Sequence, residues 1–114
     1  MHDPEPNQVS WSLLLDRPPS ADLKLALGTS FADHPAAWRN LKRLAGAEQR
    51  SQQTFFALVP ALLRACRNAT DPDLALSAFE TFVGVYGQRH ALLQVLAAAP
   101  TALEFLVHFL GLGP

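Results

Sequence analysis

The sequence predicts an all-α protein, a bundle of about five helices joined by short loops. Apolar residues recur at the helical period along most of the chain, and prolines and glycines fall almost entirely between those periodic segments. No alternating strand pattern, internal repeat or low-complexity tract is present. With 114 residues, the chain is long enough to form one domain around its own core.

The N-terminal part is predicted to be a lead to this bundle. Its first ten residues carry two prolines and no apolar period, so we expect them to be disordered. Trp11 and the leucines that follow it form a short apolar cluster before Pro18, which predicts a single docked turn. We therefore divide the chain into a flexible lead, residues 1–19, and a helical domain, residues 20–114.

Two capped helices are predicted next. Ser20 is a good N-cap for a two-turn helix that stops at Gly28, and Asp33 is a good N-cap for a longer helix that stops at Gly46. Apolar residues repeat at helical spacing on one face of each. The inward-facing residues are Leu23, Ala26 and Leu27 in the first, and Ala37, Trp38, Leu41, Leu44 and Ala45 in the second.

The third predicted helix contains a proline. A proline in a helix interior removes one hydrogen bond and crowds the preceding turn, yet the apolar period continues on both sides of Pro60. We predict one helix kinked near Pro60, with a break into two helices as the alternative. Its apolar positions are Phe55, Phe56, Val59, Leu62, Leu63 and Cys66.

The best-specified helix lies within residues 70–87. Asp71 can cap its first turn, Pro72 has the φ that the first helical position needs, and Asp73 suits the positive end of the helix dipole. Gly87 supplies a left-handed residue after the last turn. We expect the other helices to pack against this central helix. Its apolar face holds Ala75, Phe79, Phe82, Val83 and Tyr86.

The C-terminal region is unusually apolar. Residues 88–99 are apolar on more than one side, and Thr101 with Glu104 forms the pattern of a capping box at the start of a last helix. That helix is apolar nearly all round, whereas a surface helix of a monomer has one apolar face. We predict that it contacts a second copy, or helices that follow in a longer chain. The predicted interface residues are Phe105, His108, Phe109 and Leu110.

The charge pattern argues against a nucleic-acid partner. The net charge is −1, and the bases concentrate in residues 39–67, where six bases are spread over two predicted helices. We interpret them as a solvated face and predict no nucleic-acid binding. No signal peptide and no apolar run of about 20 residues is present, so we expect a cytoplasmic protein without membrane contact. The single cysteine, Cys66, is predicted to be a small buried residue.

No catalytic or metal-binding constellation is visible. The four histidines have no ligand spacing, and the common nucleophile and phosphate-binding glycine motifs are absent. Asp71 and Asp73 form an Asp-x-Asp pair, which can hold magnesium in nucleotidyl transfer, but the same residues account for a helix start. We predict no catalytic, cofactor or metal site in this chain and interpret the pair as a cap.

A family resemblance rests on four blocks that occur in order: FADHPAAWRNLKRLA, LVPALLRAC, DPDLALSAFETFV and YGQRHALLQVLAAAPTALEFLVHFLG. Over roughly residues 20–112 the chain resembles the non-catalytic helical parts of the glutamine synthetase adenylyltransferase family. Members of that family attach AMP to a tyrosine of glutamine synthetase and also remove it. The resemblance implies a helical bundle beside a nucleotidyltransferase domain, with ATP and magnesium used by the full-length enzymes.

The resemblance implies no catalytic residue in this chain. The family signature is a Gly-Ser turn followed by an Asp-x-Asp strand; no Gly-Ser occurs here, and Asp71 and Asp73 open a helix instead. Two functions therefore stay open, and with them the question of enzymatic activity. The chain is a scaffold of an adenylyltransferase-like protein, in contact with its other domains or with glutamine synthetase, or it is a stand-alone interaction or oligomerisation module.

Overall fold

A computed structural model describes residues 10–112, which form seven α-helices and no strand. The helices are α1 (Trp11–Asp16), α2 (Ala21–Leu27), α3 (His34–Ala45), α4 (Gln49–Arg67), α5 (Pro72–Tyr86), α6 (Arg89–Ala98) and α7 (Pro100–Leu110). The predicted all-α class is confirmed for this part of the chain. Most of the predicted disordered lead, residues 1–9, lies outside the described residues.

The predicted count of about five helices is too low, because α1 and α6 were not predicted as helices. The cluster at Trp11, predicted as one turn, is a six-residue helix on which Trp11 is buried. The segment at residues 88–99 contains the ten-residue α6, which buries Leu93 and Leu96. The cluster at Trp11 is too short to define a period, and residues 88–99 are apolar on more than one side, so neither segment shows a single apolar helical face in the sequence.

The predicted caps lie where the sequence places them. Ser20, Asp33 and Asp71 each accept, through the side chain, a hydrogen bond from the backbone amide three residues on, at 3.3, 3.0 and 3.1 Å. Gly87 has a φ of +89° and closes α5 in the left-handed conformation. Cap chemistry is local, so the sequence alone determines it.

The longest helix, α4, is at the centre of the bundle. It contacts α1, α3, α5, α6 and α7, and through Arg67 it also contacts α2. It runs through Pro60 as one helix of 19 residues, so a break at this proline is excluded. The prediction that the bundle packs mainly on α5 is wrong, because α5 buries half as many side chains as α4. Strong caps define the ends of α5 but not its place in the bundle. The residues that α4 buries are Ser51, Phe55, Leu58, Val59, Leu62, Leu63, Ala65 and Cys66.

The apolar face predicted for α5 is buried only in part. Phe79 is buried and Phe82 is half-buried, but Tyr86 is 52% exposed, so its predicted burial is wrong. Tyr86 belongs to the last turn, where residues 84–88 are all exposed, and its ring packs along its own helix at 6.1 Å from the Phe82 ring. Leu76 is buried in its place.

Helix α7 begins two residues earlier than predicted. Its first residue is Pro100, preceded by Ala99 as N-cap, and no side chain caps it, so the predicted capping box of Thr101 and Glu104 is wrong. A proline has a suitable φ for the first helical position and lacks the amide that a cap would satisfy. The axes of α6 and α7 differ by 115° across this junction.

Candidate functional site

Both aspartates of the Asp-x-Asp pair at the start of α5 bind backbone amides. Asp71 caps α5, and the carboxylate of Asp73 accepts hydrogen bonds from the amides of Ala32, at 2.8 Å, and Asp33, at 3.2 Å. Because these amides precede α3, Asp73 links the starts of α3 and α5. Within residues 10–112, no group of three or more His, Cys, Asp or Glu side chains could hold a metal ion.

Two arginines bind helix ends that are distant in sequence. The guanidinium of Arg67 donates to the carbonyls of Ala26 and Leu27, at 2.9 and 3.1 Å, where α2 ends. The guanidinium of Arg89 donates to the carbonyl of Arg43, at 2.9 Å, where α3 ends. Carbonyls at a helix C-terminus lack intrahelical donors, and a positive charge there suits the helix dipole. Both side chains therefore stabilise the bundle.

A cleft between the starts of α4 and α6 brings together a serine and a histidine that the sequence did not single out. Ser51 Oγ and His90 Nδ1 lie 3.4 Å apart, in a cleft of about 490 Å³ that Glu48 and Arg89 also line. A nucleophilic serine needs an accessible hydroxyl and a third group that orients the imidazole. Ser51 is buried, and His90 Nε2 is buried without a hydrogen-bond partner among the described residues. This pair therefore lacks the features of a catalytic dyad.

The single cysteine is chemically protected. Cys66 is fully buried on α4, and burial raises the pKa of its thiol to about 12. The thiolate is the form that reacts with electrophiles and metals, and very little of it exists near neutral pH at such a pKa. The prediction of a small buried residue is confirmed.

Helix α7 has two apolar faces on opposite sides. Leu103 and Val107 are buried in the bundle. Phe105 and Phe109 each lie two residues further on, which turns them about 200° around the helix axis, and they are 75% and 64% exposed. Leu112, just after the helix, is 63% exposed. We call Phe105, Phe109 and Leu112 the α7 outer face.

Three of the four predicted interface residues are exposed in the structure. Phe105, His108 and Phe109 are exposed, whereas Leu110 is half-buried and packs against the core. Leu112 was not predicted because Gly111 marks the end of the helix in the sequence. Its spacing of three residues from Phe109 was the available signal.

An apolar groove lies between α1 and α2. Its volume is about 240 Å³, and the exposed side chains of Leu13 and Leu25 line it, together with Arg17 and Asp22. It offers no aromatic side chain, although aromatic residues dominate the binding energy of protein interfaces. The α7 outer face is therefore the stronger candidate for a binding surface.

No single helix in the described part of the chain is long and apolar enough to cross a membrane. Only α6 and α7 taken together reach the length and composition of such a span, with the bend of 115° between them.

Comparison with protein families, with curated proteins and with solved structures finds no match for this chain. The described residues form an all-α bundle with an exposed apolar face on α7. The resemblance to the adenylyltransferase family stays a prediction from the sequence.

Proposed function

We propose that this chain is a helical protein-interaction module that presents the α7 outer face to another protein. The observation that supports this most directly is the exposure of two aromatic side chains, Phe105 and Phe109, on one side of a helix. Apolar surface that is grouped in this way marks binding sites in soluble proteins, and aromatic residues are enriched at interface cores. Their spacing along α7 suits docking against another helix.

The bundle holds this face in a fixed position, which favours binding. Helix α7 contacts α4, α5 and α6, and its buried side seats Leu103 and Val107 in the core. At its end, Gly111 packs so closely on the start of α5 that an added Cβ would lie 3.1 Å from the Cβ of Ala75. A surface that is already ordered loses little conformational entropy when a partner binds.

The polar side chains support a binding role over a catalytic one. Asp73, Arg67 and Arg89 all bind backbone groups of neighbouring elements, and Asp71 caps its own helix. These residues therefore act in the fold itself. Interaction through apolar surface is the function that the remaining exposed residues suit best.

A second candidate function is a scaffold role in an adenylyltransferase-like protein, which the four sequence blocks favour. In this version the α7 outer face contacts the remaining domains of a longer chain, or glutamine synthetase, in the cytoplasm. ATP and magnesium would belong to a separate catalytic domain. Purified chain mixed with glutamine synthetase, ATP and magnesium is then expected to transfer no AMP. AMP transfer that Asp73→Asn abolishes would contradict our assignment of Asp73 to the fold.

Site-directed photocrosslinking in cells tests the interaction itself. A benzophenone amino acid at position 105 is expected to give a discrete adduct, and Phe109→Glu in the same chain should remove it. The matched control places the same amino acid at position 85, since Val85 is 78% exposed on α5, outside the α7 outer face. Equal labelling from both positions, or none from position 105, would contradict the proposal. The mass of the adduct distinguishes glutamine synthetase, another protein and a second copy.

A further inference from the structure

The flank of the α7 outer face carries a hydrogen-bond acceptor and a hydrogen-bond donor that could pair between two copies of the chain. Glu104 and His108 lie one helical turn apart on the same flank of this face, and both are exposed. One side chain is an acceptor at neutral pH, and the other carries a ring N–H that can donate. A two-fold interface requires such a pattern, because the same patch must fit its own copy.

The direction of pairing follows from the positions of this flank. When two copies of a helix pair antiparallel about a two-fold axis, identical flanks meet and their residues run in opposite order. With the axis level with residue 106, Glu104 comes opposite His108 of the partner subunit, and this contact occurs twice. A parallel pair would instead place the polar flank against the apolar flank that Ala102 and Phe109 occupy.

The same register also places the aromatic rings favourably. We call the line along which the two α7 helices touch the seam. The phenylalanine rings of the two copies lie along it at steps of two residues, which is about 3 Å. Their order is Phe109 of the partner subunit, Phe105, Phe105 of the partner subunit and Phe109. The rings of the two copies therefore alternate instead of colliding. Leu112 comes level with the first turn of the partner's α7, where Thr101 is exposed.

The exposed area indicates a weak association. A phenylalanine side chain presents about 150–250 Å², so the exposed fractions of Phe105 and Phe109 amount to about 200–350 Å² per copy. Stable interfaces bury about 800 Å² on each partner, which this seam and its flank do not reach. A dimer built on this seam alone therefore forms at high protein concentration.

We propose that the partner of the α7 outer face is a second copy of this chain, paired antiparallel through α7 with reciprocal contacts between Glu104 and His108. This proposal rests on the proposed function, since it names the occupant of the same face.

Analytical ultracentrifugation of the full chain, from about 10 to 1,000 µM, tests the pairing. The weight-average mass is expected to rise from 12.4 kDa toward twice that value. Phe109→Glu should weaken association at least about tenfold, and the matched control Val85→Glu should leave it unchanged. His108→Glu places like charges opposite each other twice and should weaken association about fivefold or more. The double variant Glu104→His/His108→Glu restores complementarity and should recover it.

Two outcomes would overturn the antiparallel dimer. The first is a monomer at every concentration, and the second is a dimer that both Phe109→Glu and His108→Glu leave unchanged. Binding of the dye ANS separates this failure from failure of the proposed function, because the dye reports exposed apolar surface. A monomer that binds ANS, and loses the dye on Phe109→Glu, keeps the α7 outer face as a docking site for a different protein. A monomer that binds no ANS removes both proposals.

Discussion

Helices α4 and α7 are both rich in apolar residues, but the bundle uses them in opposite ways. Within the described residues all six other helices contact α4, and it buries eight side chains, among them Phe55. Helices α4, α5 and α6 contact α7, which buries Leu103 and Val107 while two phenylalanines face solvent. An apolar period shows that a face is suited to burial. Whether it is buried within the chain depends on which helices surround it.

The comparison separates two roles of the same amino acid. A phenylalanine in α4 contributes to the stability of the bundle, whereas Phe105 and Phe109 in α7 contribute little to it and are available to a partner. The same substitution made in the two helices is therefore the most direct test.

Phe55→Ala is expected to have the largest effect. Phe55 is fully buried, so truncation removes apolar burial and leaves a cavity, which costs about 3–5 kcal/mol. Phe105→Ala, the matched change on the exposed face, should alter the free energy of unfolding by less than about 0.5 kcal/mol. Chemical denaturation measures both. Similar losses in the two variants would show that α7 is enclosed as fully as α4.

Helix α5 lies between these extremes, so its two phenylalanines should differ. Phe79 is fully buried, and its truncation to Ala should cost about 3–5 kcal/mol. Phe82 is half-buried, and its truncation should cost about half of that. The sequence places both on the apolar face of α5, which predicts similar burial and similar costs. Denaturation midpoints that fall together for the two variants would restore that prediction.

The contact between the starts of α5 and α3 should contribute less than a core phenylalanine. Asp73→Ala removes two hydrogen bonds that a carboxylate accepts from backbone amides, and the expected cost is about 1–3 kcal/mol. Asp71→Ala, which removes only the cap of α5, should cost about 1 kcal/mol. Urea unfolding of both variants measures the difference. A larger loss for Asp71→Ala would mean that the long-range contact contributes little.

The buried thiol of α4 should make stability depend on pH in the alkaline range only. The pKa of Cys66 rises from 9.0 to about 12 on folding, so the unfolded chain loses this proton first. The contribution of the buried thiol to the free energy of unfolding is present in full below pH 9. It is lost as the pH rises from 9 to 12, by at most about 1.4 kcal/mol per pH unit. Between pH 9 and 11, Cys66→Ala should therefore lose stability less steeply than the wild type. Parallel slopes in the two denaturation series would show that the thiol is not shielded.

Local features of this fold were accessible from the sequence, and long-range ones were not. The caps Ser20, Asp33 and Asp71 follow from neighbouring residues, and the predicted exposed apolar surface on α7 followed from a period that fills the whole helix. The pairing of Ser51 with His90 carries no such signal, since 39 positions separate them. The central place of α4 was missed for the same reason: helix order in the bundle depends on contacts between distant segments.

The arginine contacts at the ends of α2 and α3 join segments that the ribosome synthesises seconds apart. The carbonyls at the end of α2 receive their donor from Arg67, 40 and 41 positions later, and the carbonyl of Arg43 receives its donor from Arg89, 46 positions later. At about 5–20 residues per second, a ribosome needs several seconds to synthesise that much chain. During synthesis the carbonyls at the ends of α2 and α3 therefore lack these donors until the end of α4 and the start of α6 have emerged.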